Sequence, residues 1–196
     1  MPTTTYGLGD RGTPGSANEE CAIVDVGAFL EGDLVVTEIM KDPSKVSDFK
    51  GEWFELYNAS GLALDLYGLV FEDSFGDSFT INTQLLVNAG DYVLLAINSD
   101  ATTNGGLPSV DYKFPSSTFR FYNGADDFWI VDGATLIDMV SYDTTSYPNT
   151  PGKSLSLDAA SLDTVSNDDG ASWCVGATTY GSGDYGTPAS ANAACP

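Results

Sequence analysis

Asp163, Asn167, Asp168 and Asp169 fall in one short loop that ends on Gly170. Four oxygen-bearing side chains so close together suit a hard cation such as calcium, which takes about six to eight oxygen ligands. Their spacing departs from the EF-hand pattern, and the same residues also make a solvated acidic turn whose carboxylates bond their own backbone. The segment Glu72-Asp73-Ser74-Phe75-Gly76-Asp77 poses the same choice, and there the turn is preferred. Glu38, Glu52 and Glu55 lie in stretches read as strands, where they are expected to reach solvent; buried, each would need a partner, a metal or a raised pKa. Two carboxylates about 5 to 9 Å apart would serve glycoside hydrolysis. With 28 acidic residues such a pair arises readily by accident, so no catalytic residues are assigned.

The chain contains no histidine, which removes Ser-His and Cys-His nucleophile systems, most catalytic zinc sites and the usual neutral-pH proton shuttle. Its formal charge of −21, from 28 acidic and 7 basic residues, opposes nucleic acid and anionic membrane surfaces as partners. No apolar run is long enough to insert in a membrane, and Met1-Pro2-Thr3 lacks the basic and apolar regions of a signal peptide, so export would depend on a signal outside these residues.

One internal relationship organises the rest. Thr4 to Cys21, TTYGLGDRGTPGSANEEC, returns as Thr178 to Cys195, TTYGSGDYGTPASANAAC, with 13 of 18 positions identical at a constant offset of 174 residues. A segment found at both ends of a unit is what remains when one repeat carries the tail of its predecessor, which points to a protein built from such units in series. Cys21 and Cys195 become equivalent, while Cys174 has no counterpart. Pairing Cys174 with Cys195 therefore accounts for the odd count and implies an oxidising compartment; three free thiols is the alternative.

These residues must be positioned by strands, because apolar residues alternate with period two between clusters of Gly, Asn, Asp, Ser and Pro. Strands are expected at Asp33–Met40, Glu52–Asn58, Leu66–Glu72, Ser78–Asn82, Asp91–Ile97, Thr118–Tyr122, Asp127–Val131, Thr135–Ser141 and Ser154–Leu157, with a hairpin at Asp132-Gly133. Their number and spacing predict an all-β sandwich. Trp53 and Trp129 are expected in the core. Phe75, Phe114, Tyr122 and Tyr147 lie in or beside loops, where aromatics pack in turns or stack on sugars, and Lys113 is the candidate for a Lys-to-Asn cross-link.

The runs Leu34-Val35-Val36-Thr37-Glu38-Ile39-Met40, Gly51-Glu52-Trp53-Phe54-Glu55-Leu56-Tyr57-Asn58 and Leu64-Asp65-Leu66-Tyr67-Gly68 resemble, in this order, the lamin-tail domain of bacterial exported proteins. The likeness continues through Leu86 to Leu95, Asp132-Gly133 and Ile137 to Tyr142, and covers roughly residues 32 to 158. The resemblance implies an immunoglobulin-like β-sandwich that acts as an interaction or structural module without catalysis. The expected organisation is a connector with the preceding repeat's tail (1–31), the sandwich (32–158), and an irregular, disulfide-pinned C-terminal connector (159–196). The expected function is a structural or adhesive repeat of an extracellular or cell-surface protein, whose partners are other repeats of the same chain and a surface glycan or protein. The alternative is a carbohydrate- or protein-binding module that targets a secreted hydrolase.

Overall fold

The computed structural model describes residues 28–196, preceded by three two-residue strands, β1 (Thr5–Tyr6), β2 (Asp10–Arg11) and β3 (Val24–Asp25). Cys21 and, apart from β1 and β2, the rest of the first copy of the duplicated segment lie outside the described residues.

Two long strands start the sandwich, β4 (Leu34–Met40) and β5 (Trp53–Asn58), joined through the one-turn helix α1 (Asp48–Gly51). Then follow β6 (Ala63–Asp65), β7 (Val70–Glu72), β8 (Ser78–Thr80), β9 (Leu86–Val87), β10 (Tyr92–Ala96), β11 (Tyr112–Lys113), β12 (Asp126–Asp132), β13 (Thr135–Tyr142), β14 (Leu155–Leu157), β15 (Trp173–Val175), β16 (Thr179–Tyr180) and β17 (Asp184–Tyr185). A six-stranded sheet, β11-β10-β5-β4-β14-β15, faces a four-stranded sheet, β13-β12-β7-β8. Phe54 of β5 links them, with its ring 5.4 Å from Phe71 and 5.3 Å from Phe128 of the opposite sheet. Around this aromatic contact Leu34, Val36, Leu56, Ile130 and Val140 complete one continuous core.

Most expected strands form with ends shifted by a residue or two. Leu66–Glu72 is shortened to Val70–Glu72 because Leu66 to Leu69 turns, with Gly68 at φ 94° and Leu69 N donating to Leu66 O. Thr118–Tyr122 forms no strand. Phe119 and Phe121 still pack into the aromatic core, so the alternation there records burial without strand pairing. The β12–β13 loop is Gly133-Ala134, one residue later than expected, with Gly133 at φ 58° in the left-handed region that glycine tolerates. Trp129 lies opposite Glu72 on the outer face of its sheet and is only partly buried, while its neighbours Phe128 and Ile130 fill the core.

A β-bulge decides what the outer face carries. In the β4–β5 pairing Val36 opposes Leu56 and Glu38 opposes Glu55, so Thr37 is the extra residue. Without it Glu38 would oppose Phe54 on the core face, since a one-residue slip exchanges the two faces of a strand. The bulge instead sets Glu38 and Glu55 side by side on the outer face, below the C-terminal segment.

Candidate functional site

Four strands contribute one row of outward side chains. Glu55 of β5 opposes Glu38 of β4, Glu38 opposes Ser156 of β14, and Ser156 opposes Cys174 of β15. The C-terminal strap crosses this row from Tyr180 to Cys195. Trp53 Nε1 donates to Tyr180 Oη at 3.0 Å, and their rings meet edge to face at 5.8 Å. Asp184 anchors the strap to the β4–α1 loop by accepting from Ser44 Oγ at 2.6 Å and from the Ser44 and Lys45 amides.

Glu38 is the centre of the seat. Its Oε1 accepts from Ser154 Oγ at 2.5 Å, Ser156 Oγ at 2.8 Å and Thr187 N at 3.0 Å. The Thr187 hydroxyl lies 3.0 Å from Glu38 Oε2 and 2.7 Å from Asn192 Oδ1. Glu55 accepts from Thr37 Oγ1 at 2.9 Å and from Ser190 N at 3.1 Å. Asn192 donates to the carbonyls of Thr37 and Leu157, and Cys195 N donates to Asp158 before the Cys174–Cys195 disulfide closes the strap. Thr37, released from the ladder by the bulge, thus serves the strap twice.

Neither glutamate reaches solvent, contrary to the expectation for these strand positions, and Glu52 is equally buried. Desolvation raises the Glu38 carboxyl above its ordinary range against the pull of its four donor groups. It also raises Glu55 to about 8, with the charge of Glu38 adding to the shift. Glu52, whose Oε2 accepts from Phe121 N, is likewise pushed up to about 8 by burial, assisted by Asp48. Paired carboxylates can do acid–base chemistry, but here the strap closes over both Glu38 and Glu55, and the arrangement fastens that segment.

A lamin tail domain family model matches residues 29–144, more than half of the chain. The chain belongs to the lamin tail domain family. No curated protein matches it. The matched region ends before β14, β15 and the strap, so the seat joins lamin tail strands β4 and β5 to elements beyond the match. Lamin tail domains are immunoglobulin-like structural modules, in keeping with the sandwich described above.

The sequence-derived metal candidates are dispersed in this lamin tail domain. Asp163 accepts from Val165 N, Ser166 N and Ser166 Oγ, closing its own turn. Asp169 accepts from Ala171 N at the start of a short 3-10 turn. Asn167 is buried and points the other way: its Nδ2 donates to Asp138 Oδ2 at 2.8 Å, and its carbonyl accepts from Trp173 Nε1 at 2.8 Å. Asp138 in turn accepts from Val36 N at 2.7 Å, which fastens β13 to β4 beside the bulge, and burial lifts its pKa to about 7. Among the described residues no three of His, Cys, Asp or Glu are grouped to hold a metal ion. Asp73 accepts from Phe75 N and Asp77 N, as the turn reading expects.

Phe114 and Tyr147 are buried, whereas Phe75 and Tyr122 are exposed and lie 5.1 Å apart. Lys113 is exposed; the buried lysine is Lys41, whose Nζ donates to Asn149 Oδ1 at 2.7 Å and to the Asn123 carbonyl. A second surface feature is the cleft between α1 and β11, lined by Phe49, Lys50, Asn82, Tyr112 and Lys113. Phe49 is 60 % exposed and Arg120 stacks on its ring at 4.9 Å.

Sequence reasoning found the disulfide and the duplicated segment but missed that the segment is a ligand for Glu38 and Glu55. The available signal was the Thr, Ser and Asn that recur at fixed positions in both copies.

Two predictions concern the strap alone. Replacing Cys174 and Cys195 by serine frees a link spanning 21 residues, with an expected loss of about 3 kcal/mol in the chain-entropy model. Thermal unfolding should show the midpoint fall by roughly 6 to 12 °C. Ala189 has φ 64° and is the sole non-glycine residue in the left-handed region among those described. Ala189→Gly removes a strain of about 1 to 2 kcal/mol and is partly offset by added freedom in the unfolded chain. A small rise in midpoint, read by the same melt, is expected.

Proposed function

We propose that this lamin tail domain is a non-catalytic structural or adhesive unit of an extracellular or cell-surface protein that carries such units in series and uses them to extend, space or attach other domains. The observation that carries this reading is where the two copies of the duplicated segment differ. The five differing positions correspond to Ser182, Tyr185, Ala189, Ala193 and Ala194, and all five are exposed in the strap. The buried strap residues Asp184, Gly186, Pro188 and Asn192 are all identical to Asp10, Gly12, Pro14 and Asn18. Sequence is therefore retained where a strap meets a seat, which supports reading residues 4–21 as the strap of a preceding unit.

In this arrangement residues 1–31 hold that strap, 32–158 all of the sandwich but the edge strand β15, and 159–196 that edge strand followed by this unit's own strap. The disulfide is compatible with an oxidising exterior, and no helix among the described residues is long and apolar enough to cross a membrane. The decisive experiment is to sequence the parent gene upstream. A Trp-Cys pair whose cysteine stands 21 residues before Cys21 is expected, by analogy with Cys174 and Cys195; no such pair would remove the serial arrangement.

The cleft beside Phe49 supports a second reading, a carbohydrate- or protein-binding module. It gathers Lys50 and Lys113, with Arg120 adjacent, in a chain of only 7 basic residues, and presents aromatic rings beside them. Saturable retention on an acidic glycan that Phe49→Ala abolishes would favour this reading over a pure spacer; no retention would remove it.

A further inference from the structure

The chain has two copies of the strap sequence and, among the described residues, one seat. We infer that the seat is a recognition site for the segment itself, and that it takes the first copy of a second chain in place of its own strap, joining chains head to tail. This deepens the repeat reading, but it concerns what the seat accepts and not whether another unit stands upstream.

The backbone of the first copy already has the required shape where it is described. Strands β1 and β2 pair Thr5 with Arg11 and Tyr6 with Asp10; β16 and β17 pair Thr179 with Tyr185 and Tyr180 with Asp184, the same antiparallel register shifted by 174 residues. Five strap residues that hydrogen-bond to the seat have identical counterparts: Tyr180 and Tyr6, Asp184 and Asp10, Thr187 and Thr13, Ser190 and Ser16, Asn192 and Asn18. Tyr185, whose main chain bonds Gly152 and Ser154 and whose ring lies 5.0 Å from Lys153 Nζ, is Arg11 in the first copy.

The tightest approaches are also preserved. A Cβ on Gly181 would fall 2.1 Å from Gly105 O, and one on Gly186 would fall 3.0 Å from Glu38 Oε1; the first copy has Gly7 and Gly12 at these positions. Where the strap is strained, at Ala189, the first copy has Gly15, and glycine accepts a positive φ without that cost. The first copy therefore keeps these five hydrogen-bonding residues and the close-approach glycines, relieves the strained position, and loses the contact of the Tyr185 ring with Lys153, which the main-chain bonds at that position do not need. A chain's own strap prevails in dilute solution because it is tethered, with an effective concentration on the order of millimolar. Exchange between chains is thus favoured where units are crowded.

Docking of the first copy would bring Cys21 to the position of Cys195, beside Cys174. The covalent step is a thiol–disulfide exchange without an external oxidant. The Cys21 thiol loses its proton to solvent and its sulfur attacks Cys174 Sγ. The Cys174–Cys195 bond breaks, a Cys21–Cys174 bond forms, and Cys195 leaves as a thiolate that takes up a proton.

The test uses the intact chain and a synthetic peptide of residues 4–21 in millimolar excess, incubated in a glutathione redox buffer and mapped by mass spectrometry under non-reducing conditions. The expected result is peptide linked through Cys21 to Cys174, at a yield at least about tenfold above that of the same peptide carrying Thr13→Val and Asn18→Ala, a ratio equivalent to roughly 1.4 kcal/mol of recognition. Equal yields, or no Cys174 adduct while circular dichroism shows a folded chain, would overturn the proposal. A second measurement needs no peptide. The Thr187→Val, Asn192→Ala chain, whose own strap is weakened, should form dimers linked Cys21 to Cys174 in a concentration-dependent manner; dimers that lack this linkage count against exchange. If that variant does not fold, the peptide experiment on the unaltered chain still decides. An upstream sequence without Trp-Cys would end the serial reading and leave the peptide result unaffected.

Discussion

Acidification from about pH 8 to about pH 5 is expected to stabilise this protein, with the thermal midpoint rising by roughly 10 °C or more. The groups responsible are buried carboxyls whose desolvation outweighs the hydrogen bonds and, at Glu52, the Arg120 charge that favour ionisation. Glu52 and Glu55 are raised to about 8, Asp138 to about 7 and Asp126 to about 6, in each case chiefly by desolvation. In the unfolded chain these groups return to ordinary values near 4.5 for Glu and 3.8 for Asp. Between the two sets of values the folded protein holds more protons than the unfolded one. Stability from these groups is therefore complete below the unfolded values and is lost as pH rises through the folded ones.

Each pKa unit corresponds to about 1.4 kcal/mol, so the two glutamates alone contribute on the order of 5 kcal/mol after their shifts are halved for solvent relaxation. Self-repulsion of a chain at −21 acts in the same direction, but salt screens it far more than it screens buried groups. Melts recorded across this range in high salt separate the two. Retention of most of the rise in the unaltered chain, and its reduction in Glu52→Gln and Glu55→Gln, is the expected outcome. A midpoint that is flat, or that falls on acidification, would contradict the burial assigned to these carboxyls.

Glu38→Ala is expected to be the most damaging single substitution at the seat, at about 3 to 5 kcal/mol. It leaves Ser154 Oγ, Ser156 Oγ, the Thr187 amide and the Thr187 hydroxyl without their shared acceptor. An unsatisfied buried donor costs about 1 to 3 kcal/mol, and the Ser154–Ser156 and Thr187–Asn192 contacts recover part of this. Because the disulfide still holds Cys195, the strap should loosen without leaving. Denaturant titration measures the loss, and limited proteolysis should locate new cleavage between Gly181 and Asn192. A loss below about 1 kcal/mol with no new cleavage would mean that Glu38 does not organise the strap.

The strands that bear the core were legible because a buried alternation is written residue by residue: Leu34 to Met40 and Trp53 to Asn58 formed where expected. The Thr37 bulge was not. It reverses which face Glu38 occupies, and nothing in the local alternation distinguishes Thr37 from a paired residue. β15 escaped because three residues, Trp173 to Val175, are too few to show a period, yet they form the edge of the larger sheet and bring Cys174 into the seat row. The disulfide was inferred correctly because it followed from the duplication, a long-range signal in the sequence itself. Asn167 shows the opposite case. Its neighbours suggested a cation ligand, but the residue that engages its side-chain amide, Asp138, is 29 positions away and is placed there only by the fold.

The central claim is that the strap is an integral layer of the folded domain, held by Glu38 and Glu55. Hydrogen exchange of the unaltered protein tests it most directly, because the Thr187 and Ser190 amides donate to these buried carboxylates. Protection of both amides comparable to that of β5 and β12 is predicted. Exchange of these two at loop rates, with the core strands still protected, would contradict it.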